Sequence, residues 1–222
     1  MTDYEQRAGL WHATMLCFIA GFVDAIGYFS LGNVFTANMT GNTVLLGVSI
    51  VKGDAIALKY LATLAAFGVG VVISTLLKIT AVPLPLQFVL AGATLVAIAF
   101  AQPDELISLI ALSAVMGLQG GAIASFSGIR LPTVVVTSTL VGLVDGLIRR
   151  GAAALQKTQG SQPKDAAIPT PSSSTLVHQA AAWIAYGVGG AGAVLADAAL
   201  VWPLLVPAVL YGIISAGLWW RG

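Results

Sequence analysis

The hydrophobic and polar positions divide the chain into eight apolar segments, at roughly 10–30, 34–51, 60–79, 83–101, 106–127, 131–148, 176–198 and 200–220. A helix needs about 20 apolar residues to cross the hydrocarbon core of a bilayer, so each segment is a candidate span. The second and sixth are among the shortest and are the richest in hydroxyl and amide side chains. The second opens with Asn33, Thr36, Asn38, Thr40, Gly41, Asn42 and Thr43, turns apolar from Val44 to Val51, and stops at Lys52-Gly53-Asp54. Such a switch at membrane depth predicts a helix that begins inside the bilayer. Its first backbone N–H groups lack intrahelical partners and carry the positive end of the helix dipole. The alternative is an ordinary span whose Thr and Asn side chains bond neighbouring helices.

Local signals refine these segments. Trp11 opens the first, Trp202 the last, and Trp219 and Trp220 close it, as aromatic residues do at a membrane interface. Pro83 and Pro85 fall at the start of the fourth, where a first helical turn tolerates them. Residues 151–175 are rich in Pro, Ser, Thr, Gln and Lys without periodicity and predict a flexible loop. The expected organisation is a polar N-terminus (1–9), a first membrane repeat (10–101), the start of a second (102–150), the loop (151–175) and the end of the second repeat (176–222).

The repeat is visible in the residues. Gly21 through Gly32 can be laid on Gly117 through Gly128. With one extra residue near Arg130, Phe35-Thr36 then falls on Pro132-Thr133, and Thr40-Gly41-Asn42 on Thr137-Ser138-Thr139. Ala66 through Gly70 matches Ala185 through Gly189. Short polar segments in corresponding positions of two halves point to a transporter binding site. Two topologies fit. Eight full spans give parallel repeats; six spans plus two half-membrane helices give inverted ones, and this second topology is preferred. The positive-inside rule does not separate them, since either leaves eight of the ten Lys and Arg on one side. In both, the two termini and the long loop are cytoplasmic.

Composition places the chain in the membrane. Charged residues are 9% and apolar residues 58%, with mean hydropathy +0.92; soluble domains carry roughly 25% charge. The fold class is therefore an all-α polytopic membrane protein. A net charge of +1 does not suggest nucleic acid as a partner. One cysteine, Cys17, precludes an internal disulfide, and two histidines give no metal-ligand pattern. The first segment reads as a retained span, because no small-residue cleavage site follows it. No nucleophile–base motif, cofactor loop or sizeable soluble domain suggests an enzyme, and no cofactor is expected. The expected partners are the lipid bilayer, a small solute or ion, and a second copy in a homodimer.

Candidate site residues follow from cost. A charge well inside a span costs about 2.5–3.5 kcal/mol on insertion scales, so Asp24 is expected to face a cavity or a partner, as a proton or cation site or as a structural hydrogen bond. Thr36, Asn38, Thr40, Gly41, Asn42 and Thr43, with Thr133, Thr137, Ser138 and Thr139 of the sixth segment, supply hydroxyl, amide and helix-start donors suited to a small anion or polar neutral solute. Gln119 is read as a buried amide, structural before it is a ligand contact. Gly68, Gly70, Gly187 and Gly189 are read as sites of close helix approach. His12 is expected among lipid headgroups, and Asp145 is placed to pair with Arg149 at i+4.

Gly21, Asp24, Ala25, Gly32, Phe35, Met39, Thr40, Gly41 and Asn42 together resemble the motif of the bacterial YoaK-like family, DUF1275. Gly117-Leu118-Gln119 and Pro132, Thr133, Thr137 and Thr139 resemble its second-half motif, with Ser138 in place of the usual glycine and Gly120 where Asn is common. The resemblance implies a bacterial inner-membrane protein, usually counted as six-spanning, and no activity. The residues lead to a transporter or channel for a small anion or polar solute, with a site between two polar helix starts and Asp24 coupling it to protons. The alternative is a non-transporting membrane scaffold or accessory subunit.

Overall fold

The computed structural model describes residues 3–123, 136–158 and 170–220. Eight helices account for nearly all of them: α1 (Asp3–Ser30), α2 (Met39–Lys52), α3 (Ala57–Ile79), α4 (Leu84–Ala101), α5 (Glu105–Ile123), α6 (Val136–Thr158), α7 (Ser173–Ala199) and α8 (Leu205–Trp219). Five are long and apolar enough to cross a membrane: α1 from Leu10, then α3, α4, α5 and α7. The protein is an all-α polytopic membrane protein. α8 is shorter but runs alongside α4. Trp202, just ahead of it, meets Phe100 with ring centroids 4.9 Å apart, and Ser215 near its far end donates to Pro85 O at 3.0 Å.

Caps fix where the helices begin and end. Pro83 precedes α4, with a second proline in its first turn. Asp104 accepts from Ile107 N ahead of α5, and Ser172 accepts from Thr175 N at the start of α7. Gly53, in the left-handed conformation (φ 66°), closes α2. The expected boundaries shift in several places: α1 begins at Asp3, within the predicted polar N-terminus, and α8 begins at Leu205 rather than near 200. Residues 34–38 lead into α2 without being helical, and α6 continues through 151–158, so part of the predicted loop is helix.

Two helix pairs form the body. α3 and α5 run parallel. Lys59 and Glu105 pair at one end, with Nζ 2.7 Å from Oε1, and Lys78 Nζ donates to Gly121 O at 2.8 Å at the other. α1 packs on α7 in the same parallel sense. Glycine sets both contacts. A Cβ on Gly21 would lie 2.0 Å from Tyr186 O, and one on Gly117 would lie 2.0 Å from Phe67 O. Reciprocally, Gly189 faces Phe18 O and Gly70 faces Ala114 O. Gly68 and Gly187, also expected at close contacts, have nothing within 4 Å of an added Cβ. They sit on the outward face of the same helices.

These contacts also order the ends. Gly32, just past α1, lies against Glu105 and Lys59, so the end of α1 and the starts of α3 and α5 share one face of the molecule, the first face. The second face holds the end of α3 and the start of α7. α2 neither begins on the second face nor reaches it. It is 14 residues long, roughly 21 Å, against about 30 Å of hydrocarbon. It starts beside Asp24, six residues before the end of α1, runs past Thr63 of α3, and turns into α3 on the first face. The chain therefore returns to the first face there. α6 lies against the first half of α7 in the opposite sense: Gly142 faces Gln179, Gly146 faces Leu176, and Arg150 donates to Ser173 Oγ at 2.7 Å. It runs outward to the second face.

Candidate functional site

Three features bring the chain back into the protein after α1. Gly32 (φ 80°) and Asn33 (φ 61°) are consecutive left-handed residues that reverse its direction. Gly27 leaves room for the returning strand, since a Cβ there would lie 2.6 Å from Val34 O and 2.7 Å from Thr36 Cγ2. The Phe35 ring stacks on Tyr28 with centroids 4.9 Å apart.

Asn42, fully buried, then holds the returned segment. Its Oδ1 accepts from Phe35 N at 3.0 Å and its Nδ2 donates to Phe35 O at 2.6 Å. Nδ2 also reaches Thr63 Oγ1 at 3.3 Å. One side chain thus pairs with both backbone groups of a residue seven positions earlier and ties the turn to α3.

This geometry aims three consecutive N–H groups at Asp24. Oδ1 of Asp24 accepts from Thr36 N at 2.7 Å, Ala37 N at 2.5 Å and Asn38 N at 3.2 Å, with Thr36 Oγ1 at 3.4 Å. Oδ2 accepts from the hydroxyl of Tyr186 on α7. Asp24 is 2% exposed. Its carboxylate sits where the positive end of the α2 dipole and the lead-in N–H groups favour an anion. The helix start and the buried acid, two separate candidates in the sequence, are one structure. Asp24 itself occupies the place expected for an external anion at α2.

The other residues of the first motif surround this centre. Asn38 is the N-cap of α2: Oδ1 accepts from Gly41 N at 3.1 Å and from Thr40 Oγ1 at 2.9 Å. Gly41 is packed against the Phe35 ring, 3.1 Å from an added Cβ. Thr43 Oγ1 donates to Met39 O at 2.8 Å and, like Thr40, is exposed.

The second set stands apart. Gln119 donates to Leu16 O at 3.1 Å and accepts from Tyr211 Oη at 2.6 Å, joining α5 to α1 and α8. It is structural in this arrangement and makes no bond to Asp24. Thr139 is buried on α6. Thr137 and Ser138 lie in the first turn of α6, but their side chains are outside the described residues, as is all of Thr133. Asp145 pairs with Arg149 at 2.7 Å. His12, expected among headgroups, is instead buried, close to Gly217 of α8. Among the described residues, no three His, Cys, Asp or Glu side chains converge as a metal site would require.

Tyr186 was not among the sequence candidates. The repeat alignment carried a signal for it. Tyr186 falls on Phe67, and Asp24 falls on Gly120. The α1–α7 contact, made between the two halves, has acid and phenol together, and the α3–α5 contact has neither.

Residues 12–217 match the family described as "Protein of unknown function (DUF1275)". A relative, "UPF0700 transmembrane protein YoaK" of Bacillus subtilis (strain 168), is 37% identical over 152 residues, covering 62% of this chain and 66% of the relative, just under two thirds of its length. No solved structure matches. With a family match over nearly its whole length and a transmembrane relative, this helical membrane protein belongs to the DUF1275 family.

Proposed function

We propose that the protein is a bacterial inner-membrane transporter that moves a small monovalent anion together with a proton, using Asp24 as a resident anion at the start of α2. The observation that carries this reading is the convergence of Thr36, Ala37 and Asn38 N–H groups on one buried carboxylate. Three such donors suit any small anion. Protonating Asp24 weakens its hold on them, because neutral acceptors form weaker hydrogen bonds than charged ones. An incoming anion then takes the N–H groups, and the proton travels on the carboxyl. Loss of the proton restores the carboxylate and expels the anion. Tyr186 keeps the carboxyl in place while its partners change.

Read as an inverted repeat, four glycine contacts support the proposal. Gly21 meets Tyr186 as Gly117 meets Phe67, and Gly189 meets Phe18 as Gly70 meets Ala114. These are matched positions in the two halves. α2 lies along α3 from the first face, and α6 along α7 toward the second. In this reading the second face, which holds Lys78, Arg149, Arg150 and the helix ends that carry Arg7 and Lys157, is cytoplasmic under the positive-inside rule, with Lys52 and Lys59 at the first face.

The second reading is a scaffold in which Asp24 is only a folding contact. It is favoured by the internal partners of both Asp24 oxygens. Proteoliposomes loaded with a pH-sensitive dye separate the two. An acid jump with external chloride, nitrate or thiocyanate should drive anion-dependent proton entry that is lost in folded Asp24→Asn protein. Absence of anion-dependent proton entry with all three anions, in correctly folded wild-type protein, would rule out this mechanism.

A further inference from the structure

A cavity of about 170 Å³ opens on the first face, between the ends of α1, α4 and α7 and the connection into α8. A single water needs about 10–15 Å³ on this measure, so the cavity admits a group of several heavy atoms. Its lining includes the buried Ile26 and Ile98 and the exposed Ser30, Gln102, Asp197 and Trp202. Asp197 makes no ion pair and no hydrogen bond through its side chain to another described residue. The Trp202 ring is fixed against Phe100.

The lining chooses among cations. A single carboxylate among apolar side chains is a poor site for a divalent metal, which takes about six or more oxygen ligands. A carboxylate beside an indole suits a weakly hydrated organic cation, whose charge meets the acid while its alkyl groups meet the ring and the isoleucines. We propose that this cavity binds a substituted ammonium group, carried either by a free amine or by a lipid headgroup. The site is separate from Asp24, so it stands or falls independently of the transport reading.

The test is isothermal titration of tetramethylammonium chloride into the full-length protein in nanodiscs of phosphatidylglycerol alone, with sodium chloride as the control. Saturable binding is expected, weaker by about tenfold or more in Asp197→Asn and by about threefold to tenfold in Trp202→Ala. Ser30→Phe, a change at an exposed rim position that leaves the acid intact, should block the cavity and abolish binding. Absence of saturable binding to the wild-type protein, or equal binding to Asp197→Asn and Ser30→Phe, overturns the proposal. Where binding is found, added phosphatidylethanolamine assigns its source: competition identifies the lipid headgroup, and lack of competition a free amine.

Discussion

The Tyr186 hydroxyl on α7 donates to Oδ2 of Asp24 on α1, at the level where Gly21 lets the two backbones touch. The phenol therefore couples the α1–α7 contact to the start of α2. At the matching α3–α5 contact the corresponding residues are Phe67 and Gly120, which cannot make such a bond. That contact is instead clamped by Lys59 to Glu105 at one end and Lys78 to Gly121 at the other.

Tyr186→Phe leaves Asp24 Oδ2 without this donor. A hydrogen bond to a charged group contributes about 1.5–3 kcal/mol, and a loss of that size is expected in reversible unfolding in micelles. Asp24→Asn should cost at least as much, because an amide cannot offer the same charge to three N–H groups. The double variant should lose less than the sum, since both changes remove the same bond. Additive losses would place the two residues in separate interactions.

The glycines divide into two classes. Gly21→Ala and Gly117→Ala each drive a methyl group to 2.0 Å from a backbone carbonyl oxygen, forcing a helix pair apart at an expected cost of about 3 kcal/mol or more. Gly68→Ala and Gly187→Ala meet open space and should be neutral or stabilise by up to about 1 kcal/mol through helix propensity. Thermal unfolding of the four variants checks the division. Equal effects would contradict the packing described.

Asn42→Asp is nearly isosteric but cannot donate to Phe35 O or Thr63 Oγ1. It also brings a second carboxylate close to Asp24. A loss of about 2 kcal/mol or more is expected, together with proteolytic exposure of the 31–38 segment. Asn42→Asp protein as stable and protected as the parent would show that Asn42 does not hold the turn.

The opposite faces to which α2 and α6 run give a labelling prediction for re-entry. In a Cys17→Ala background, a single cysteine at Lys52 should react with an impermeant thiol reagent from outside the cell, and one at Arg149 should not. Both should react in permeabilised cells. Protection of both in intact cells would favour eight full spans.

The pattern of apolar segments was enough to locate the helices, because bilayer thickness sets their length. The polar start of α2 was legible for the same reason: Asn38, Thr40 and Asn42 are costly at that depth unless each has a partner. What the residues alone did not reveal was that Asp24 is the partner. Asp24 and Thr36 are separated by a reversal that depends on the left-handed pair Gly32-Asn33 and the gap at Gly27, and neither leaves a periodic trace. Gly68 and Gly70 illustrate a second limit. They are two residues apart on one helix and face opposite ways, so only Gly70 lies in a contact. The apolar pattern ends α6 too early, because its basic, Ala-rich end reads as loop by composition while remaining helical.

The most direct test of the account is whether an anion takes the N–H groups from Asp24 as the carboxyl gains a proton. Infrared difference spectroscopy of the reconstituted protein, with nitrate minus without, measures this. The account predicts a new protonated-carboxyl band in the wild-type protein, absent in Asp24→Asn. Nitrate binding with Asp24 still ionised, or a band that persists in Asp24→Asn, would contradict it.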